Sequence, residues 1–92
     1  MINSFHHKGL RRFYENNDPS GLPSGLAERI ATILASLDQA TRIEDVYRPG
    51  FRLHSLKGEL QGFHAANGCT NWRIIFRFAE SGAYDVDLLD NN

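Results

Sequence analysis

The clearest alternation of apolar and polar positions runs from Asn71 to Phe78, in the segment NWRIIFRF. Every second position holds a large apolar side chain, which is the period of a strand with one buried face: Trp72, Ile74, Phe76 and Phe78. Between them stand Arg73, Ile75 and Arg77, so the other face of the predicted strand carries two guanidinium groups. We expect the apolar face to form the core and the arginine side to carry the function.

A second alternating segment, AYDVDLL, follows after a short polar turn, with apolar positions at Tyr84, Val86 and Leu88. In a hairpin closed around Ser81, Arg77 lies opposite Asp85. Arg73 then lies diagonal to Asp87. The two arginines have two interpretations. A planar guanidinium suits phosphate recognition because it donates two parallel hydrogen bonds. Alternatively, each arginine pairs with an acid of the neighbouring strand, at ~0.2 to 1 kcal/mol for an exposed pair.

Two segments in the first half have the three- and four-residue spacing of amphipathic helices. The first helix begins near Lys8. Pro23 is suited to be the first residue of the second helix, where its missing amide donor costs nothing, and that helix should end near Ala40. The apolar positions of the second helix are Leu26, Ile30, Ile33, Leu34 and Leu37. The segment Met1 to Phe5 fits either an edge strand or a lead-in to the first helix.

Two further strands are predicted, from Phe51 to Leu56 and from Gln61 to Ala66. A hairpin turn is expected at Asn67-Gly68, because both residues tolerate positive φ. Two N-terminal helices followed by strands predict an α+β fold, with the helices packed on one face of a mostly antiparallel sheet and the other face left open. The 92 residues form a single domain, 1–92.

Charge and composition narrow the possible functions. The net charge of −1 argues against strong nonspecific binding to nucleic acid, yet four acids fall in the last thirteen residues. Residues 1–79 therefore hold ten basic side chains against seven acidic ones, which is compatible with a local basic face. No apolar run approaches the ~18 residues that span a bilayer, and the N-terminal segment lacks the apolar centre of a signal peptide. We expect a cytoplasmic protein with no membrane partner, and the lone Cys69 fits a reducing compartment.

Four residues are candidates for acting on a substrate, and three more for contacting phosphate: His54, Lys57, Arg73 and Asp90, then Arg48, Arg52 and Arg77. A histidine exchanges protons near neutral pH, which suits an acid or a base. Lys57 and Arg73 could neutralise a phosphate whose charge grows as it is attacked. These groups suffice for metal-free cleavage of RNA by the 2′-hydroxyl. The alternative is that His54 is a structural or solvated strand residue.

Other kinds of site have little support in the sequence. His6 and His7 are adjacent, and the other histidines stand far apart without a close Asp or Cys, so no metal site is predicted. No glycine-rich phosphate loop, cysteine pair or serine-nucleophile elbow occurs. A nucleotide-dependent enzyme is therefore not expected.

Four segments occur in a distinctive order along the chain: INSFHHKGLRRFYE, PGFRLHSLKGELQGF, NWRIIFRF and AYDVD. With them the chain resembles, from end to end, the HigB branch of the RelE superfamily, toxins of bacterial type II toxin-antitoxin pairs. The resemblance implies a compact RelE-like fold and an endonuclease, free of metal and cofactor, that enters the ribosomal A site to cut messenger RNA. It also implies a helix-turn-helix antitoxin of the HigA type.

Carried over position by position, the resemblance implies proton transfer or phosphate contact for His54 and transition-state cations at Lys57 and Arg73. Asp90 matches the first residue of a C-terminal motif that is commonly Asp-Tyr-His in the family. This chain ends Asp90-Asn91-Asn92 instead. An asparagine neither exchanges a proton near neutral pH nor stacks on a base as tyrosine does. A catalytically weakened homologue that only binds the ribosome or the antitoxin is therefore an alternative, and a generic interaction domain is a third.

A second departure lies in the strand before the arginine strand. The family usually has a bulky Trp-Ser-Ile-x-Val pattern, where this chain has His64-Ala65-Ala66-Asn67-Gly68. Smaller side chains bury less apolar area, so a looser hairpin is expected. His64 is either a replacement site histidine or an exposed or packing residue.

Overall fold

In the part of the chain that the structure describes, two α-helices pack on a four-stranded antiparallel sheet whose strands lie side by side in chain order. The computed structural model describes residues 1–67 and 71–90. Its elements are α1 (Lys8–Asn16), α2 (Ala27–Gln39), β1 (His54–Ser55), β2 (His64–Ala66), β3 (Trp72–Ala79) and β4 (Gly82–Asp90). The α+β prediction is confirmed. The parts of the sequence predictions that concern Gly68, Cys69, Asn91 and Asn92 lie outside the described residues.

The core lies between the helices and one face of the sheet. Ile74 and Phe76 of β3 are fully buried there, and Trp72 and Phe78 pack against them, as the alternation predicts. The helices contribute the buried side chains Leu10, Ile30, Ile33, Leu34 and Leu37. Each large apolar side chain removed from water contributes ~1.5 to 3 kcal/mol, so this layer is the main source of stability. Within the described residues, no helix is both long enough and apolar enough to cross a membrane.

The second helix begins four residues later than the sequence predicts. Pro23 belongs to a turn in which its carbonyl accepts a hydrogen bond from the Leu26 amide at 3.3 Å. Gly25 in this turn has a φ of 81°, which interrupts the helical path before Ala27. The predicted start at Pro23 is therefore wrong. The predicted end is confirmed, because α2 closes at Gln39.

The segment Met1 to Phe5 lies beside β4 and is joined to it by two isolated bridges. Its second and fifth residues form parallel bridges with Ala83 and Val86. The close approach requires a glycine at Gly82, because its φ is 113° and a Cβ there would collide with the carbonyl of Met1. Of the two interpretations of this segment, pairing at the sheet edge is the one that the bridges favour, although the segment does not form a continuous strand.

The first two strands are shorter than predicted. β1 has only two of the six residues from Phe51 to Leu56, since Pro49–Phe51 forms a 3₁₀ turn and Arg52 adopts a left-handed conformation with φ 48°. β2 likewise begins late, because Gly62 turns the chain with φ 96° just before it. The buried ring of Phe51, 2 % exposed, anchors the turn instead of a strand.

The β3-β4 hairpin has a tighter turn than predicted. Ala79 pairs with Gly82, so Arg77 pairs with Tyr84 and not with Asp85. β4 then accommodates one extra residue in a bulge, where Asp85 has a φ of 55°. Aspartate tolerates this left-handed conformation better than most residues do.

The bulge restores the predicted register in the remainder of the hairpin. Arg73 pairs with Leu89 and is therefore diagonal to Asp87, as expected. The side chain of Tyr84 was predicted on the face of Val86, but the pairing with Arg77 puts it on the opposite face. The prediction fails there because a one-residue shift of register exchanges the two faces of a strand.

Removing the hydrogen bond between the two helices should lower stability. The Tyr14 hydroxyl of α1 donates to Asp38 Oδ1 of α2 at 2.6 Å. We expect Tyr14→Phe to lower the free energy of unfolding in urea by ~0.5 to 1.5 kcal/mol at neutral pH. Tyr47→Phe is the matched control, because the Tyr47 hydroxyl has no hydrogen bond to any described residue, and it should change nothing.

The same bond should make this stability difference depend on pH. The hydrogen bond to Asp38, with burial, raises the pKa of Tyr14 from 10.0 to about 12. A pKa raised by folding gives stability that is complete below the unfolded value and is lost as pH rises through the folded value. The difference between the wild type and Tyr14→Phe should therefore narrow from pH 10 to about 12. A difference that stays constant over that range would contradict the assignment.

Candidate active site

The side chains of His54 and Arg73 leave the sheet on the same face. His54 pairs with Ala65, and Ala65 pairs with Ile75, and directly opposed residues share a face. Arg73 stands two positions before Ile75 in β3, so alternation puts it on that face too. We call this side of the sheet, opposite the helices, the arginine face. The spacing of strands and residues places the two Cα atoms roughly 12 Å apart, within reach of one phosphodiester.

Arg73 is half-buried, and its charge has no counterpart among the residues that the structure describes. Its Nε atom is enclosed and has no hydrogen-bond partner among residues 1–67 and 71–90. No ion pair to its guanidinium occurs in that part of the chain either. An enclosed donor without a partner costs ~1 to 3 kcal/mol, and more when it is charged. A bound phosphate would supply both the acceptor and the counter-charge.

Arg77 already has partners within the fold. Its Nε lies 3.8 Å from Asp85 Oδ2, and its guanidinium carbon lies 4.5 Å from the centre of the Phe63 ring. The bulge brings Asp85 within reach even though Tyr84 holds the directly opposed position. This geometry favours ion pairing for Arg77, and its role as an RNA contact stays a prediction.

The main-chain carbonyl of Arg52 orients the imidazole of His54. His54 is exposed, and its Nδ1 lies 2.9 Å from that carbonyl oxygen. A carbonyl can only accept a hydrogen bond, so Nδ1 carries the proton in the neutral ring and Nε2 keeps its lone pair. Nε2 is thus the atom that can take a proton from a substrate. The sequence gives no sign of this contact, which depends on the left-handed φ of 48° at Arg52.

Lys57 and Asp90 stand at the margins of the site. Lys57 is exposed and precedes the 3₁₀ turn Gly58–Leu60, three residues after His54. Asp90, the last residue of β4, pairs with Trp72 and so leaves the strand on the helix-facing side, not on the arginine face. The register therefore groups His54 with Arg73 and does not group Asp90 with them.

Arg48 and Arg52 are exposed on the connection that leads into β1. The guanidinium carbon of Arg48 lies 5.9 Å from the centre of the Phe51 ring, which sits beneath it in the core. Neither arginine forms an ion pair within the described ranges of the chain. Both remain available to contact phosphates beside His54.

The arginine face is less open than the sequence predicts. Ile75, at the centre of this face, is only 2 % exposed. A hollow of about 260 Å³ remains above it, lined by His6, Leu60, Phe63, Ile75, Asp85, Asp87 and Leu89. The two carboxylates make the β4 side of the face acidic. A phosphate is therefore favoured at the other side, where Arg73 and His54 stand.

Two other histidines, His64 and His7, have structural positions. His64 pairs with Phe76 on the helix-facing side, with the ring centres 5.7 Å apart, and burial lowers the pKa of His64. The packing interpretation of His64 is the one that this geometry favours. His7 caps α1 by accepting a hydrogen bond from the Leu10 amide at 3.1 Å. In the part of the chain that the structure describes, no three His, Cys, Asp or Glu side chains are placed to share a metal ion.

Nearly the whole length of the chain is similar to known proteins. The family described as the RelE-like toxin of type II toxin-antitoxin system HigB matches residues 3–91. The chain is also 39% identical over 90 residues to the endoribonuclease HigB of Proteus vulgaris, and the match covers 98% of each chain. These likenesses agree with the resemblance carried by the four sequence segments.

The contrast between the two strand arginines can be measured as stability. We expect Arg77→Met to lower the free energy of unfolding by ~0.5 to 2 kcal/mol, because the ion pair and the ring contact are lost. Arg73→Met keeps an unbranched apolar stem and removes a donor that has no partner among the described residues, so it should be neutral or stabilising. Urea unfolding of both variants tests the difference. A larger loss for Arg73→Met would mean that the fold already uses that guanidinium.

Proposed function

The chain belongs to the HigB-like family of RelE-like toxins of type II toxin-antitoxin systems, and we propose that it is an endoribonuclease that cleaves messenger RNA in the ribosomal A site. The name of the Proteus vulgaris relative supports the activity. Membership of this family implies an antitoxin partner. We further propose that this antitoxin is a helix-turn-helix protein of the HigA type. The family match leaves the third interpretation, a generic interaction domain, without support.

One observation carries the proposal, the shared face of His54 and Arg73. An acid or base and a cation act on the same phosphodiester only if both reach it from one side. Had these two side chains left the sheet on opposite faces, no single phosphate could contact both. The enclosed and unpartnered Nε of Arg73 adds a reason for an anion to bind at this place.

In the proposed reaction, Nε2 of His54 takes the proton of the ribose 2′-hydroxyl. The freed oxygen attacks the adjacent phosphorus, and the bond from phosphorus to the 5′-oxygen breaks as that oxygen takes a proton from solvent. A 2′,3′-cyclic phosphate remains on the upstream product, and the downstream product begins with a 5′-hydroxyl. In the neutral ring, the hydrogen bond to the Arg52 carbonyl holds the proton on Nδ1, so Nε2 carries the lone pair that takes the proton. A positioned base of this kind contributes ~10²- to 10⁴-fold in rate.

We assign to Arg73 and Lys57 the electrostatic stabilisation of the transition state. Negative charge grows on the phosphate oxygens as the 2′-oxygen approaches, and cations placed in advance stabilise it more than they stabilise the substrate. Arg73 is set in a partly buried position, where its charge is less screened than on an open surface. Lys57 is exposed and adds a second charge from the start of the neighbouring turn.

Removing the imidazole should abolish most of the cleavage. We expect His54→Ala to lower kcat/KM by ~10²- to 10⁴-fold in a cleavage assay on ribosomes programmed with a defined messenger. For the wild type, mapping the 3′ end of the upstream fragment should show a cyclic phosphate. His6→Ala is the control, because His6 is also exposed but lies beside the acidic hollow. Unchanged cleavage by His54→Ala would rule out the proposed base.

A second candidate function follows from the C-terminal residues, namely a weakened toxin that binds the ribosome or the antitoxin without efficient cleavage. Asn91 and Asn92 stand where the family commonly has a tyrosine and a histidine, and neither can protonate the leaving 5′-oxygen. The register of β4 also directs Asp90 away from the arginine face. A solvent molecule would then have to supply that proton.

Restoring the two groups distinguishes the candidates. If the tail limits the reaction, the double variant Asn91→Tyr with Asn92→His should cleave programmed messenger ~10²- to 10⁴-fold faster than the wild type. Growth arrest on expression without antitoxin should strengthen in parallel. A wild type that already cleaves as fast as the double variant would exclude the weakened toxin.

A further inference from the structure

The geometry points to a binding site for one unpaired nucleotide on the surface beside His54. We propose that Tyr47 stacks on a base of the substrate RNA next to the cut, while Arg48 and Arg52 hold the adjoining phosphates. This inference rests on the proposed function, because it assigns a subsite to the same reaction. Nothing in the sequence pattern distinguishes Tyr47, and its position became apparent only in the fold.

Tyr47 is one of the most exposed large apolar side chains in the described part of the chain, at 61 %. Its neighbours Val46 and Phe51 are buried, at 0 % and 2 %. The ring is therefore held out into solvent between two anchors in the core. Because the ring is exposed, a flat apolar ligand can cover it without displacing another group of the protein. The apolar area buried in this way favours binding.

The backbone under Tyr47 is fixed by hydrogen bonds. The Tyr47 amide donates to the Glu44 carbonyl at 3.1 Å, and the Arg48 amide donates to the Val46 carbonyl at 2.8 Å. The Phe51 amide closes the following turn on the Arg48 carbonyl at 2.9 Å. A ring on such a rigid turn loses little conformational freedom when a ligand covers it.

The surroundings of the ring fit a nucleotide. A shallow cavity of about 290 Å³ is lined by Tyr47, Arg48, Pro49, Arg52 and Leu53, a set that contains no acid. Two guanidinium groups beside one exposed aromatic ring are the combination that binds single-stranded nucleic acid, since the ring stacks on a base and the cations contact the backbone. The acidic hollow on the β4 side of the sheet has the opposite charge.

Arg52 links this cavity to the proposed cleavage site. Arg52 is one of the residues that line the cavity, and its carbonyl oxygen lies 2.9 Å from His54 Nδ1. One residue thus joins the two places. A nucleotide held on Tyr47 is therefore next to the scissile bond in the same RNA strand. We assign substrate RNA as the occupant of the cavity.

The test compares Tyr47→Ala with Tyr47→Phe on ribosomes programmed with messengers that carry one abasic nucleotide at each position flanking the cut. We expect Tyr47→Ala to lower kcat/KM about 5- to 100-fold, the effect of one base-aromatic stack. Tyr47→Phe keeps the ring and should stay within about twofold of the wild type. At one position, loss of the base should impair the wild type and leave Tyr47→Ala unaffected. Urea unfolding of Tyr47→Ala should match the wild type.

Two outcomes would overturn the inference. Equal kcat/KM for Tyr47→Ala and the wild type would show that the ring contributes nothing. A loss in Tyr47→Ala that adds to the effect of every abasic position would place the contact on ribosomal RNA or protein instead of the substrate. If the wild type does not cleave at all, the proposed function fails separately. Binding of both proteins to the same abasic series of programmed ribosomes then decides the stack without cleavage.

Discussion

The two-residue period of β3 is the constraint on which the rest of the structure depends. β3 is hydrogen-bonded to a strand on each side, and its Ile74 and Phe76 must face the helices to be fully buried. A slip of one residue would move both into the opposite layer. The burial of these two side chains therefore fixes Arg73 and Arg77 on the other face. Function at the arginine face is a consequence of how strongly the core face is specified.

Arg73 and Arg77 have the same position in the alternation but different surroundings. Arg77 lies near the turn, where the bulge brings Asp85 to 3.8 Å and the β1-β2 connection brings Phe63 under the guanidinium. Arg73 lies at the other end of β3, where its enclosed Nε has no partner in the described residues. One arginine thus stabilises the fold, and the other retains an unmatched charge. A residue whose unpaired charge destabilises the free protein until a ligand binds is expected at a functional site.

At two residues other than glycine, a left-handed backbone conformation affects how the arginine face is arranged. Asp85, with φ 55°, absorbs the extra residue of β4 and restores the register that puts Arg73 opposite Leu89. Arg52, with φ 48°, directs its carbonyl at His54 Nδ1. A left-handed conformation costs ~1 to 2 kcal/mol at such a residue. Both positions are therefore maintained by the packing around them.

The sequence alone determined the layers of this protein and the residues that divide them. Trp72, Ile74, Phe76 and Phe78 could be assigned to the core because alternation and burial depend on neighbours in sequence. The α+β class and the placing of His54 and Arg73 as candidates came from the same local patterns and from motif order. Strand ends, the start of α2 and the hairpin register were missed, because they depend on single backbone conformations at residues such as Gly25 and Asp85. Only the tertiary structure decided that Arg77 is paired and that Arg73 has no partner among the described residues. It also decided that Tyr47 shares a cavity with Arg52, whose carbonyl contacts His54. Each of these depends on groups distant in sequence or on a backbone angle that side-chain type does not fix.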